Sequence, residues 1–242
     1  MSGHSKWANI KHKKSRQDDR RGRVFTKIGR EIAVAVKEGG PDPETNSKLK
    51  DVIAKAKSNN MPNDNIERSI KKAAGTLSSI NYEAVVYEGY GVGGVAVIVE
   101  SLTDNRNRTA AEVRHIFDKN GGSLGETGCV SWMFDNKGVI VIEKNDGIDE
   151  EELMMAALEA GAEDVAEEDG FYEITTEPSV FGAVRERMEK AGYDLLSAET
   201  TMLPNNTMDV SPKNETTIKK LLDALEEDDD IQNIYHNAKF NE

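Results

Sequence analysis

The stretch AVVYEGYGVGGVAVIVESL, residues 84–102, marks the point at which the chain changes its periodicity. Runs rich in valine stand on both sides of a glycine turn, which is typical of two β-strands joined by a hairpin. Before this stretch the apolar residues recur at helical spacing, and after it segments typical of strands and of helices follow one another. The sequence therefore predicts a helical N-terminal part followed by α+β parts.

Three amphipathic helices are predicted before residue 80. The first covers about residues 17–37 and carries Val24 and Ile28 on one face. The second ends near Asn59, and the third follows Pro62, a residue that favours the first turn of a helix. Each helix has a single apolar stripe that it cannot bury alone, so we expect a three-helix bundle.

The segments after residue 102 predict two ferredoxin-like domains. A helix near 107–119 and a strand CVSWMF at 129–134 follow the hairpin, and residues 137–204 show the order βαββαβ. The last helix and the short strand IQNIY have no partners of their own. We infer an α+β multidomain fold, in which a three-helix bundle precedes two ferredoxin-like domains and the last is inserted into the middle one. The predicted domains are 1–80, 81–135 together with 207–242, and 136–206.

Charge is distributed unevenly along the chain. The net charge is -13, but residues 1–80 hold 18 Lys and Arg against nine Asp and Glu, whereas residues 81–242 hold 13 against 35. A local patch sets the local field, so an acidic protein with one basic end is expected to face a polyanion with that end. Cys129 is the single cysteine, which excludes an intramolecular disulfide. No signal-like or membrane-length apolar run occurs, so we expect a cytoplasmic protein without a membrane partner.

The basic end predicts a nucleic-acid-binding site. Lysine and arginine can neutralise phosphates there, and Trp7 and His12 offer flat rings that can stack on unpaired bases. Burial of Trp7 against the bundle is an equally open alternative. The predicted site comprises Lys6, Trp7, Lys11, His12, Lys13, Lys14, Arg16, Arg20, Arg21 and Arg23.

Two further segments carry weaker signals. DNRNRT at 104–109 joins a strand to a helix start, where Asp104 or Asn105 can cap the helix and Arg106 and Arg108 are predicted as a secondary anion site. The acidic run at 226–230 lacks the spacing of a calcium loop, and a solvated helix end is favoured there.

The quoted stretches resemble the YebC/PmpR family over nearly the whole chain. The resemblance rests on GHSKWANIKHKK at 3–14, NMPNDNIERSIKKA at 60–73, YEGYG with GGVAVIVE at 87–100, LTDNRNRTAAEVRHIFDKNGG at 102–122 and LEEDDDIQNIYHN at 225–237. It implies a three-domain, non-enzymatic protein of cytoplasm or mitochondrion. It also implies a DNA-binding transcriptional regulator, although other members resemble translation factors that act on ribosomes.

Catalytic signals are weak in this sequence. The four histidines lack the spacing of paired metal ligands, and no nucleophile elbow or phosphate-binding loop motif occurs. We therefore expect a protein that is not an enzyme, with no cofactor, no metal and no small-molecule substrate. Three functions stay open: a transcriptional regulator that binds DNA, a translation factor that binds ribosomal RNA, and a protein adaptor that uses the acidic surface. The ribosome or the transcription machinery would be a further partner.

Overall fold

The computed structural model describes residues 21–75, 81–168 and 170–240. By internal packing the chain forms two compact units, and the smaller one covers residues 132–207. The larger one contains the helices that begin at residue 21 and the α+β part on both sides of the smaller unit. The α+β multidomain fold with N-terminal helices is confirmed. The three predicted domain boundaries stay a prediction.

Three helices open the larger unit: α1 (Arg21–Gly39), α2 (Ser47–Ser58) and α3 (Asn63–Gly75). Their apolar stripes meet in one core, whose buried members include Ile28, Ile32 and Leu49. The buried side chain of Asn46 joins the first two helices: its amide nitrogen donates to the carbonyl oxygens of Ala35 and Gly40, both at 2.8 Å, and its oxygen accepts from the Leu49 N–H at 3.0 Å. Asn46 thus caps α2 and fixes its approach to α1.

The α+β part of the larger unit contains a four-stranded antiparallel sheet in the order β3-β1-β2-β9. Its strands are β1 (Glu83–Tyr90), β2 (Ala96–Thr103), β3 (Ser123–Leu124) and β9 (Ile231–His236). Two helices, α4 (Arg106–Lys119) and α7 (Pro212–Glu227), pack on one face around Phe117, Ile218 and Leu221. Strands β8 (Met208–Asp209) and β10 (Ala238–Lys239) form a small parallel pair.

The prediction of a strand at CVSWMF, residues 129–134, is wrong for most of that segment. The strand that pairs with β1 is the earlier Ser123–Leu124, and a 3-10 turn occupies Ser131–Met133. The cause is Glu88, whose buried carboxylate accepts the N–H groups of Gly128, Val130 and Ser131, each at 2.8 Å. Burial raises the pKa of Glu88, but these three donors outweigh burial and lower it.

The smaller unit has the ferredoxin-like order. Strand β4 (Phe134–Glu143) is followed by α5 (Glu150–Glu159), β5 (Asp164–Glu168), β6 (Phe171–Thr176), α6 (Phe181–Lys190) and β7 (Leu195–Pro204). The sheet order is β5-β6-β4-β7, all antiparallel. The two helices cover one face of this sheet, on which Ile140, Tyr172 and Ile174 lie in the core.

Asn46→Ala is expected to lower the free energy of unfolding by about 2 kcal/mol, because it removes a helix cap and one hydrogen bond each from the carbonyl groups of Ala35 and Gly40. Urea denaturation of the full chain measures this loss. Thr45→Ala is the matched control, since Thr45 is exposed and is expected to change stability by less than about 0.5 kcal/mol. Equal effects of the two substitutions would contradict the role given to Asn46.

Candidate nucleic-acid interface and the Asp230 junction

The structure describes only part of the predicted nucleic-acid-binding site. Eight of its residues lie outside the described residues: Lys6, Trp7, Lys11, His12, Lys13, Lys14, Arg16 and Arg20. Arg21 begins α1, and Arg23 lies in its first turn. The prediction that these residues bind nucleic acid stays a prediction.

The cations of α1 lie on one face of the helix, opposite to its buried stripe. Arg23, Lys27, Arg30 and Lys37 are spaced by four, three and seven residues, which places them along a single side. The Arg23 guanidinium lies 3.6 Å from the carboxylate of Glu227, and the Lys27 ammonium donates to the carbonyl oxygen of Glu226 at 2.9 Å. These cations therefore bind the C-terminal turn of α7, where unpaired carbonyl groups and the helix dipole favour positive charge.

Arg30 reaches the centre of this contact. Its guanidinium donates to the Leu102 carbonyl oxygen at 3.1 Å, forms an ion pair with Asp230 and lies 5.6 Å from the centre of the Tyr82 ring. Lys37, at the end of the same face, donates to the side chain of Asn81. The acidic run at 226–230 thus contacts α1, and its interpretation as a solvated helix end is wrong for the buried Asp230, whereas Glu227 and Asp229 are exposed.

Asp230 is the most heavily bonded carboxylate of this junction. Its side chain is 5% exposed and lies where β9 begins. Oxygen Oδ2 accepts from the hydroxyl groups of Thr109 at 2.6 Å and Thr103 at 3.1 Å and from the Arg108 guanidinium at 2.6 Å, while Oδ1 accepts from Arg30. Four residues from α1, β2 and α4 therefore meet at the charge of Asp230, which directly precedes β9.

The electrostatics of Asp230 follow from these donors. Burial raises the pKa of a carboxylate, but the hydrogen bonds from Thr109, Arg108 and Arg30 outweigh burial and lower the pKa of Asp230 to about 2. The same contact raises the pKa of Arg108. Asp230 is consequently ionised at neutral pH.

The segment DNRNRT, residues 104–109, supplies a helix cap and several of the contacts to Asp230. Asn105 caps α4, as the sequence allowed, by accepting the Arg108 N–H at 3.1 Å. Arg108 binds Asp104 at 2.9 Å and Asp230 at 2.6 Å, whereas Arg106 is exposed. The anion near the start of α4 is thus a carboxylate of the chain itself. An external anion at Arg106 and Arg108 stays a prediction, with Asp230 as its competitor at Arg108.

Glu112, Asp228 and Asp230 bring carboxylate oxygens within 4.8 Å of one another, which is the spacing of metal ligands. The donor set fits a cation poorly, because both oxygens of Asp230 already accept hydrogen bonds and two guanidinium groups adjoin it. Burial and the charge of Asp228 raise the pKa of Glu112.

Exposed cations on α2 and α3 complete the basic surface of the bundle. Residues 21–75 carry 12 Lys and Arg against seven Asp and Glu, a net charge of +5. Lys50, Lys57 and Arg68 are exposed, and the described part of the chain gives them no ion pair. Lys71 lies 3.5 Å from Glu67 on the same helix. Arg23 and Lys27 contact α7, and Arg30 and Lys37 contact Asp230 and Asn81, so the exposed cations of the described bundle without an ion pair lie on α2 and α3.

Comparison with known proteins decides the family. Residues 5–76 match the TACO1/YebC protein N-terminal domain, and residues 82–238 match the TACO1/YebC second and third domain. The chain belongs to the TACO1/YebC family. Within the described residues, none of the helices combines the length and apolar character needed to cross a membrane.

Relatives of this TACO1/YebC protein align over nearly its whole length. A probable transcriptional regulatory protein of Acetivibrio thermocellus is 65% identical over 98% of both chains. A second protein with that description, from Thermoanaerobacter pseudethanolicus, is 59% identical over 99% of this chain and 97% of its own. The crystal structure of a conserved hypothetical protein from Aquifex aeolicus superposes with a TM-score of 0.85 at 47% identity and covers 98% of both chains.

Asp230→Asn is expected to destabilise the larger unit by about 3 kcal/mol, because it leaves Arg30 and Arg108 without their shared charge in a largely buried site. Asp229→Asn is the matched control, since Asp229 is exposed and the change in charge is the same. Urea denaturation of both variants measures the difference. A loss no larger than that of the control would contradict the central role of Asp230.

The stabilisation by Asp230 is expected to depend on pH in a defined direction. The pKa of Asp230 is lower in the folded protein than the value of about 3.9 in an unfolded chain, so the stabilisation is complete above about pH 5 and is lost as the pH falls from about 4 towards 2. The stability difference between the native protein and Asp230→Asn should therefore be constant from pH 5 to 7 and shrink below pH 4. A difference that grows on acidification would overturn this assignment.

Proposed function

We propose that this protein is a non-enzymatic regulator of gene expression that binds nucleic acid through the basic segment 6–21 and the exposed faces of α2 and α3. The observation that carries the proposal is the exposure of Lys50, Lys57 and Arg68 on a bundle of net charge +5, in a chain whose net charge is -13. A phosphate backbone is attracted to the bundle and repelled by the acidic remainder, so the bundle is the part of the protein that it contacts.

Duplex DNA is the first target that we propose. The relatives that align over nearly the full length are named probable transcriptional regulatory proteins, and they support a role in transcription. Phosphate contacts by lysine and arginine position a protein on a duplex, and base contacts are needed for sequence reading.

Ribosomal RNA is the second target, and the surface of α3 favours it. The exposed side of this helix presents Asp64, Glu67, Arg68 and Lys71, a mixture of charges in which Lys71 is paired with Glu67. A helix that reads the major groove needs several side chains that can bind base edges, and Arg68 is the one arginine on α3. Recognition of structured RNA by its shape requires fewer side chains of α3 that bind base edges. The protein would then be a translation factor.

A protein adaptor is the remaining alternative. Residues 132–207 carry five Lys and Arg against 19 Asp and Glu, a net charge of -14, which suits a basic protein surface. Deletion of the basic segment would leave an adaptor functional, whereas it would abolish the nucleic-acid functions.

Charge reversal in the basic segment tests the proposal. If the segment neutralises about six phosphates, the affinity for duplex DNA should fall by about a thousandfold between 50 and 200 mM salt. Lys13→Glu, Lys14→Glu and Arg16→Glu together should weaken binding by at least about a hundredfold at low salt and reduce the salt dependence by about three ions. Fluorescence anisotropy with a labelled DNA duplex and a labelled RNA hairpin measures both quantities.

The matched control reverses three exposed cations outside the bundle: Arg187→Glu, Lys190→Glu and Lys213→Glu. It changes the net charge by the same amount and should retain the salt dependence of the native protein. Unchanged binding of both probes by the first triple variant would refute the proposed nucleic-acid site.

Crosslinking in cells distinguishes the two nucleic acids. An ultraviolet-activated amino acid at position 13 should form adducts with the bound polymer, and sequencing of the recovered fragments identifies it. Enrichment of DNA upstream of genes supports the transcriptional role, and enrichment of ribosomal RNA assigns the translational one. Adducts with protein alone would favour the adaptor.

A further inference from the structure

One edge of the sheet in the larger unit is only partly covered. Strand β3 pairs with β1 at Gly89 and Tyr90 alone. The chain then turns away from this edge, because the buried Glu88 carboxylate binds backbone N–H groups of the loop at 128–131. Among the residues that the structure describes, no strand pairs with Glu83–Tyr87 on this side, which we call the open edge.

The backbone at the open edge has donors and acceptors that point out of the sheet. The Gly125 N–H donates to the Glu88 carbonyl oxygen at 2.8 Å, so the backbone groups of Glu88 face away from β2. These directions alternate along a strand, which gives Ala84 and Val86 the orientation of Glu88, whereas the carbonyl group of Val85 faces β2. In the described part of the chain, the N–H and C=O groups of Ala84 and Val86 therefore have no partner strand, and a further strand would supply one.

The side chains at the open edge do not protect it from pairing. Free edges of natural sheets commonly carry lysine, proline or a β-bulge. The segment AVVY at 84–87 holds no charged residue and no proline, and it pairs with β2 in a regular register. Val86 is 46% exposed, which makes it one of four large apolar side chains at the surface of the described residues. These features favour the addition of a strand at this edge.

Charge is placed at both ends of the helix-side face of the open edge. Glu83, Val85 and Tyr87 share this face, because side chains alternate along a strand. The Tyr87 hydroxyl donates to the Arg106 carbonyl oxygen at 3.4 Å, so the first turn of α4 lies beside one end of the open edge. The Arg106 side chain is exposed, and the described residues give it no ion pair. A cation thus adjoins one end of this face, and the exposed carboxylate of Glu83 stands at the other.

The pattern of a complementary strand follows from this arrangement. In an antiparallel pair, each residue stands directly opposite one residue of the partner strand. An acidic residue opposite Tyr87 can bind Arg106, and a basic residue opposite Glu83 can bind its carboxylate. The three positions between them face apolar side chains of β1 and suit small or aliphatic residues. In chain order the complementary segment is therefore acidic, apolar, apolar, apolar and basic.

We propose that the open edge binds an extended segment of a partner protein with this pattern, which adds to β1 as an antiparallel strand. The main chain of the segment bonds to Ala84 and Val86, and its two charged side chains bind Arg106 and Glu83. The anion predicted at Arg106 is then a carboxylate of the partner. A phosphate backbone lacks the N–H donors that the carbonyl groups of β1 require and the cation that Glu83 requires, so this contact is separate from the proposed nucleic-acid site.

A synthetic peptide tests the addition of a strand directly. The probe is the blocked heptapeptide GEVVTKG, and the control is GKVVTEG, which has the same composition with the two charges exchanged. Hydrogen exchange of the full chain, followed by NMR, reports on each backbone N–H. The N–H groups of Ala84 and Val86 should exchange rapidly in the free protein and become protected when the probe is added, whereas those of Val85 and Tyr87 are protected throughout.

Two results of this experiment would overturn the proposal. One is unchanged exchange of the Ala84 and Val86 N–H groups at a probe concentration of about 1 mM, which is enough to detect even weak binding. The other is protection of these two groups that rises with protein concentration in the absence of peptide, because it would identify a second copy of the chain as the occupant.

Substitutions separate strand addition from a general attraction between charges. Val86→Pro removes an N–H group that takes no part in the β1–β2 ladder, and it should weaken binding of the probe by about tenfold. Arg106→Glu should weaken it by about threefold, as expected for one exposed ion pair, and the native protein should prefer the probe to the control peptide by a similar factor. The matched control is Lys213→Glu, which changes the charge by the same amount at an exposed position away from the open edge.

The affinities decide the outcome. Equal affinity of the native protein, Val86→Pro and Arg106→Glu for the probe would contradict the proposed contact. Equal affinity of the native protein for the two peptides, or tighter binding of the control peptide, would contradict the antiparallel arrangement.

Discussion

The larger unit depends on the burial of one carboxylate. Asp230 is bonded to Arg30, Arg108, Thr103 and Thr109, and it joins α1 to the edge at which β2, α4 and β9 meet. A buried charge is costly unless all of its hydrogen-bonding capacity is used, and here it is used by two guanidinium and two hydroxyl groups. The position of the bundle on its sheet is consequently determined by a polar contact of defined geometry as well as by apolar packing.

This junction divides the basic residues of the bundle into two groups. The face of α1 that carries Lys27 and Arg30 is occupied by α7 and β9, whereas the exposed faces of α2 and α3 keep their cations at the surface. A count of lysine and arginine alone would have assigned all of them to nucleic acid. The cations that join α1 to the sheet and the cations at the surface are the same residue types. Only the contacts that each side chain makes in the structure distinguish the two groups.

The predictable part of the fold is the part in which local pattern and burial agree. Helices α1 to α3, the hairpin of β1 and β2 and the βαββαβ order were all predicted, because their apolar periodicity matches the face that they bury. The strand predicted at CVSWMF does not form over most of that segment, because backbone N–H groups there donate to the carboxylate of Glu88. Glu88 lies some forty positions earlier, and no local sequence pattern connects it to this segment. The role of Arg108 was hidden for the same reason, since its partner Asp230 lies at a sequence separation of 122. The sequence did contain a signal for this contact: arginines stand in an otherwise acidic segment, and an acidic run lies near the C-terminus. The two are complementary in charge.

The contact between Arg30 and Asp230 spans 200 positions of the chain, and this separation has a consequence for biosynthesis. Translation proceeds at roughly 5–20 residues per second, so the bundle emerges on the order of 10–40 s before the carboxylate that seats it. Throughout that interval Arg23, Lys27 and Arg30 lack their partners at Glu227, Glu226 and Asp230. The nascent protein thus presents more positive charge, beside the ribosome that makes it, than the finished molecule does.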